Sequence, residues 1–163
     1  MRQQSLMSCI LVLLCSLAGQ RANAQGDDLG NELVAAASRG DLPRVKALLA
    51  ANADVNAKVN AKPVNGLRSV IVSGQARLVD GETALMLASR EGHLEVVRAL
   101  FAARADVNTK DDDGGTALMY ASQEGHLEVV RALLTAKADV NVKMNNGATA
   151  LMYASQNGLL DVV

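Results

Sequence analysis

DGETALMLASREGHLEVVRALFAARADVNTK, residues 80–110, is the stretch on which the fold turns. Shifted by 33 positions it falls on residues 113–143, DGGTALMYASQEGHLEVVRALLTAKADVNVK, and 24 of 31 positions are identical. A further shift of 33 lays residues 116–130 over residues 149–163, with 12 of 15 identical. An earlier copy, residues 28–58, matches residues 80–110 at 15 of 31, but at a shift of 52; the additional 19 residues fall in segment 59–79. Self-similarity at such a period marks a stack of small supersecondary units, none of which can bury its apolar face alone.

Within one unit the residues predict two short helices. Thr83 can cap the first, because its hydroxyl accepts from a free N–H of the first turn. Ala84–Ser89 is an apolar helical run, and Gly92 ends it where a left-handed residue costs little. In the second helix Leu94, Val97, Leu100 and Phe101 form an apolar stripe, with Glu95 and Arg98 off it. Ala105-Asp106-Val107-Asn108 then leads through Lys110–Gly114 as an extended segment and polar turn.

Three motifs recur in phase: Asp-Gly-x-Thr-Ala-Leu-Met, Gly-His-Leu-Glu-Val-Val and Ala-Asp-Val-Asn. They resemble the ankyrin repeat family over residues 28–58 and 80–163. The resemblance implies an all-α repeat solenoid of stacked helix-turn-helix units with a β-hairpin finger at each junction. The units read as 28–58, 80–112, 113–145 and 146–163, within a repeat domain spanning 25–163. Two departures stand out. The Pro and His of the family's Thr-Pro-Leu-His motif are replaced by Ala84 and Met86, Ala117 and Met119, and Ala150 and Met152, so packing must take the place of the histidine's hydrogen bonds. Where the family prefers Gly after the second helix, this chain has Asn52, Arg104 and Lys137. A left-handed Arg or Lys there costs roughly 1 kcal/mol.

The first copy reads as an end unit, with polar Ser38, Arg39, Asp41, Arg44 and Lys46 on its exposed face and Pro43 harmless in a first helical turn. The last copy stops at Val163 inside its second helix, with Leu159, Leu160, Val162 and Val163 uncovered. A solenoid normally ends in a polar cap, so further repeats are expected to follow. In segment 59–79, Ser69–Val72 and Arg77–Val79 flank the turn Ser73–Ala76 and predict a hairpin that lengthens the finger between units one and two. It reads either as a partner-binding extension or as a tolerated surface loop.

Composition limits the functions. Of 163 residues half are hydrophobic, yet only Phe101, Tyr120 and Tyr153 are aromatic, so the core must be built from Ala, Leu and Val. Sixteen basic residues against 17 acidic give no basic excess for nucleic acid. Residues 1–24 have the charge of Arg2, an apolar run from Leu6 to Ala18, and Ala22-Asn23-Ala24 before Gln25, the pattern of a signal peptide cleaved after Ala24. Thirteen apolar residues span about 20 Å as a helix, too short for a hydrocarbon core of about 30 Å, and no membrane span is expected in the mature chain. Cleavage removes both cysteines, Cys9 and Cys15, and leaves 14 basic residues against 17 acidic. The product is expected to be exported, periplasmic or extracellular, and monomeric.

No pattern calls for a cofactor or a catalytic group, and the chain reads as a non-enzyme. His93 and His126 are each followed two residues later by Glu, but i and i+2 do not share a helix face. Asp111-Asp112-Asp113 offers oxygens for a cation, but the next copy has Met144-Asn145-Asn146, so a solvated turn is the better reading and no metal site is assigned. The resemblance implies a protein partner met by fingertips and exposed first-helix positions. Those are Asp112, Asp113, Gly115, Asn145, Asn146 and Ala148 on the fingers, and Arg90, Glu91, Gln123, Glu124, Gln156 and Asn157 on the helices. Tyr120 and Tyr153 are candidate aromatic anchors or core fillers. Two other functions stay open: an envelope-resident stabiliser without a dedicated partner, and an accessory repeat region of a longer protein.

Overall fold

The computed structural model describes residues 29–59, 70–72, 75–77 and 81–159. The proposed signal segment 1–24 and the final residues 160–163 lie outside them. Among the described residues there are seven helices: α1 (29–38), α2 (Leu42–Ala50), α3 (Ala84–Arg90), α4 (Leu94–Ala102), α5 (Ala117–Glu124), α6 (Leu127–Thr135) and α7 (Ala150–Gln156). None is long and apolar enough to cross a membrane. One antiparallel strand pair, β1 (Val70–Val72) with β2 (Gln75–Arg77), lies between α2 and α3. Gln75 and Ala76, expected in the turn, are in the strand instead; pairing Val72 with Gln75 leaves two residues for the connection, the commonest hairpin loop length.

The helices stack in two rows. First helices α3, α5 and α7 pack in succession, second helices α2, α4 and α6 do likewise, and α3 meets α4 and α5 meets α6 within a unit. The apolar stripes face into this stack. Val96, Val97 and Leu100 of α4, and Val129, Val130 and Leu133 of α6, are buried, while Glu95–Arg98 and Glu128–Arg131 pair in solvent. The first helices are short and mostly alanine, leucine and methionine because neighbours lie on more than one side; all seven residues of α3 are buried.

Helix ends repeat as faithfully as helix faces. Each first helix is followed by a left-handed glycine, Gly40, Gly92, Gly125 or Gly158. Each second helix ends at a left-handed residue that is not glycine: Asn52 (φ 62), Arg104 (φ 64) and Lys137 (φ 65). There the amides of Ala53, Ala105 and Ala138 reach back to the carbonyls of Leu48, Leu100 and Leu133, closing the same six-residue loop three times. Thr83 caps α3 through its hydroxyl, and its own N–H approaches Met86 Sδ at 3.5 Å. The thioether therefore keeps a weak version of the bond that histidine would make, where packing alone was expected. Ser38, expected on an exposed face, is buried, its hydroxyl donating to the Ala35 carbonyl.

The Ala-Asp-Val-Asn motif is a ladder between units. Asp106 and Asp139 each hold their own turn by accepting from Asn108 N and Asn141 N, while the N–H of each aspartate donates to the preceding unit's Asn56 or Asn108 side chain at 2.8 Å. The same Asx turn holds Asp54 and Asn56.

Candidate functional site

Three junctions share one backbone closure. Asp111 N–H donates to the Gly115 carbonyl and Gly114 N–H to that of Asp111; Met144 with Ala148 and Gly147 repeat both bonds. In the first junction the equivalent bonds run from Val59 N–H to Glu82 and from Gly81 N–H to Val59. Lys58 and Thr83 add a bridge beneath them. The two-residue tips 112–113 and 145–146 are thus matched by residues 60–80 in the first finger, so the additional chain enters and leaves at a fingertip. Val59, placed by alignment at the start of the insertion, is part of the finger base.

The second and third fingers are turns rather than the expected β-hairpins: no strand is assigned to either among the described residues. Side-chain oxygens take the amides a ladder would need. Asp111 Oδ1 accepts from Asp113 N (2.9 Å) and Gly115 N (2.7 Å), and Asn146 Oδ1 accepts from Ala148 N. The tips are also tied to each other. Asn145 donates its N–H to the Asp113 carbonyl and its Nδ2 to that of Asp112.

Beneath the fingers lies a buried polar chain. Glu82 and Arg90, both almost fully enclosed, form a two-pronged ion pair through Nη1 and Nη2. The guanidinium sits over the Tyr120 ring, 3.9 Å from its centroid. Tyr120 then donates its hydroxyl to Asp111 Oδ2. Burial works against the charge on Arg90, but the hydrogen bonds it donates to Glu82 and that carboxylate's charge outweigh burial and raise the guanidinium pKa. Burial, then the bond to Asp111, push the Tyr120 phenol well above its ordinary value. Gly115 leaves room for this contact, since a Cβ would stand 2.7 Å from Asp111 Oδ2 and 2.9 Å from Tyr120 Oη and would push the two apart.

This geometry divides the candidate contact residues. Glu91, Asp112, Asp113, Gln123, Glu124, Asn145, Asn146, Gln156 and Asn157 are exposed, and Ala148 is half-buried. Arg90 and Gly115 are buried. Arg90 is 4 % exposed because Glu82 draws it inward, so it cannot meet a partner in this conformation. Asn157 also donates its Nδ2 to the carbonyls of Ser122 (2.9 Å) and Gln123 (2.6 Å). Tyr120 and Tyr153 are half-buried; the Tyr153 hydroxyl points to Met144 Sδ at 3.5 Å, where Tyr120 finds Asp111. Glu82 went unnoticed in the sequence, and Asp111 was weighed only as part of a cation-binding turn, not as a partner of Tyr120. A signal was present: each stands where the other units carry Gly, Ala, Val or Met.

Another contact repeats from unit to unit. His93 Nε2 meets the Ser38 carbonyl at 3.1 Å and His126 Nε2 the Arg90 carbonyl at 2.8 Å, each spanning to the preceding first helix. A family model described as ankyrin repeats (3 copies) matches residues 3–111, 33–144 and 104–163. The chain belongs to the ankyrin repeat family. A comparison with curated proteins returned no match. Ankyrin units of this kind generally mediate protein–protein contact. In this member the third histidine position is Leu159, and Asn157 supplies the bond to Gln123 in its place.

Proposed function

We propose that this ankyrin repeat chain is a protein-binding scaffold that meets its partner through fingertips and first-helix ends. One observation supports the reading above others: polar residues at matching positions of successive units stay exposed while the residues between them are buried. Glu91, Gln123–Glu124 and Gln156–Asn157 line up along the helix ends, and Asp112–Asp113 and Asn145–Asn146 along the tips. A partner spanning two or more units would meet the same kind of position repeatedly, which adds contact area without new scaffold. The half-buried Tyr153 is the aromatic anchor of this surface, whereas the Tyr120 ring already carries Arg90.

The proposal includes export: the charge, apolar run and small residues of segment 1–24 support a signal peptide cleaved after Ala24, with the mature scaffold periplasmic or secreted. Affinity capture from the exported fraction tests the binding reading. Proteins held by the wild type should be lost when Gln123, Glu124 and Tyr153 are replaced together by Ala, with helix content by circular dichroism unchanged. Equal retention by the two forms overturns it.

A further inference from the structure

A continuous path of contacts joins the first finger to the second. It starts at the base of the insertion, where Val59 N–H donates to the Glu82 carbonyl at 2.9 Å. It passes through the Glu82 side chain to Arg90, from Arg90 to the ring of Tyr120, and from its hydroxyl to Asp111. It ends at the second fingertip, where Asp111 accepts from the amides of Asp113 and Gly115. A second approach runs alongside: a Cβ on Gly81 would lie 2.5 Å from Asp112 Oδ1, so the base of the first finger is seated against the tip of the second.

Among the described residues this path is built once. One unit later, Glu82, Arg90 and Asp111 are replaced by Gly115, Gln123 and Met144, and only the tyrosine recurs, as Tyr153. That unit packs its first helix against the next without any buried charge, so the stack itself does not need the network. What sets the first junction apart is its load: residues 60–80 leave from a base closed by the Val59, Gly81 and Glu82 bonds. Closing 21 residues between Val59 and Gly81 costs more chain entropy than closing a two-residue tip. The buried Glu82–Arg90 pair and the hydrogen bonds around it hold that base, although Arg90 Nε has no hydrogen-bond partner, because tilting the finger would strand charges in a low-dielectric interior.

We propose that Glu82, Arg90, Tyr120 and Asp111 form a brace that fixes the base of the first finger, at Val59, Gly81 and Glu82, against the second finger and its tip 112–113. The brace acts on finger geometry and is independent of which partner is bound. Arg90 and Tyr120 are positioning residues in this scheme.

Amide hydrogen exchange by NMR tests it. The double variant Glu82→Ala/Arg90→Gln installs residues that the chain itself carries at the corresponding positions 148 and 156. With helix content unchanged, the amides of Val59, Asp113 and Gly115 should exchange about tenfold faster, while those of Met144 and Gly147 in the third finger keep their rates. Tyr120→Phe, which removes one oxygen, should accelerate Asp113 and Gly115 and leave Met144 alone. Unchanged rates at Val59, Asp113 and Gly115 overturn the brace. So does equal acceleration in all three fingers, which would reduce the network to general stability. If the double variant does not fold, the Tyr120→Phe comparison decides by the same criterion.

Discussion

His126 Nε2 lies 2.8 Å from the main-chain carbonyl of Arg90, and the ring stands over Gly92, where a Cβ would come within 2.7 Å of it. The carbonyl can only accept, so the imidazole donates and satisfies an end-of-helix oxygen of the unit before. Gly125, one unit later, has nothing within 4 Å, because Leu159 replaces the histidine. Both glycines are left-handed, so alanine strains each by roughly 1 kcal/mol. Gly92→Ala must in addition displace His126 and should cost distinctly more than Gly125→Ala in urea unfolding. Equal losses would remove the histidine from the explanation.

Arg104 and Lys137 hold left-handed conformations that glycine adopts without penalty. Replacing either by Gly should raise stability by about 1 kcal/mol, less whatever freedom glycine adds to the unfolded chain. Asn52 tolerates this region better, and Asn52→Gly should gain only a few tenths. Thermal melts of the three variants check the order.

The buried ion pair is asymmetric in its consequences. Glu82→Ala leaves a buried, unpaired guanidinium and is expected to cost about 3 kcal/mol or more, a loss of the size found when one partner of a buried pair is removed. Adding Arg90→Gln should recover part of that loss. A double variant less stable than the single one would contradict it.

The raised phenol pKa of Tyr120 gives stability a pH dependence with a definite sign. The neutral hydroxyl is favoured in the folded state, by burial first and the Asp111 bond second. Its contribution is therefore complete below about pH 10, where an unfolded tyrosine begins to ionise, and falls away as pH rises further. Tyr120→Phe should flatten that alkaline decline relative to the wild type in denaturation series from pH 8 upward. Parallel curves would exclude Tyr120 as its source.

Identical residues differ in cover. Leu118 is 2 % exposed beneath α7, whereas Leu151, its counterpart one unit later, is 52 % exposed. Leu118→Lys should unfold the stack, because the charge would be buried without a partner, and a thermal melt checks it.

Much of the architecture was legible in one dimension because its causes are local or periodic. Helix faces follow from the spacing of Val97 and Leu100, chain reversals from glycines that alone relax at positive φ, and stacking from a 33-residue period that puts equal faces opposite one another. Even the unfavourable left-handed Arg104 and Lys137 could be read off, since the motif fixes the backbone regardless of side chain. What the tertiary structure decided was which polar groups turn inward. Arg90 occupies the same position as exposed Gln123 and Gln156, and nothing in its immediate neighbourhood of sequence separates them. Its burial depends on Glu82 eight residues before it and on the aromatic ring of Tyr120 thirty residues after it. Pairing energies of that kind are set by distance and dielectric in three dimensions, and a linear pattern carries neither.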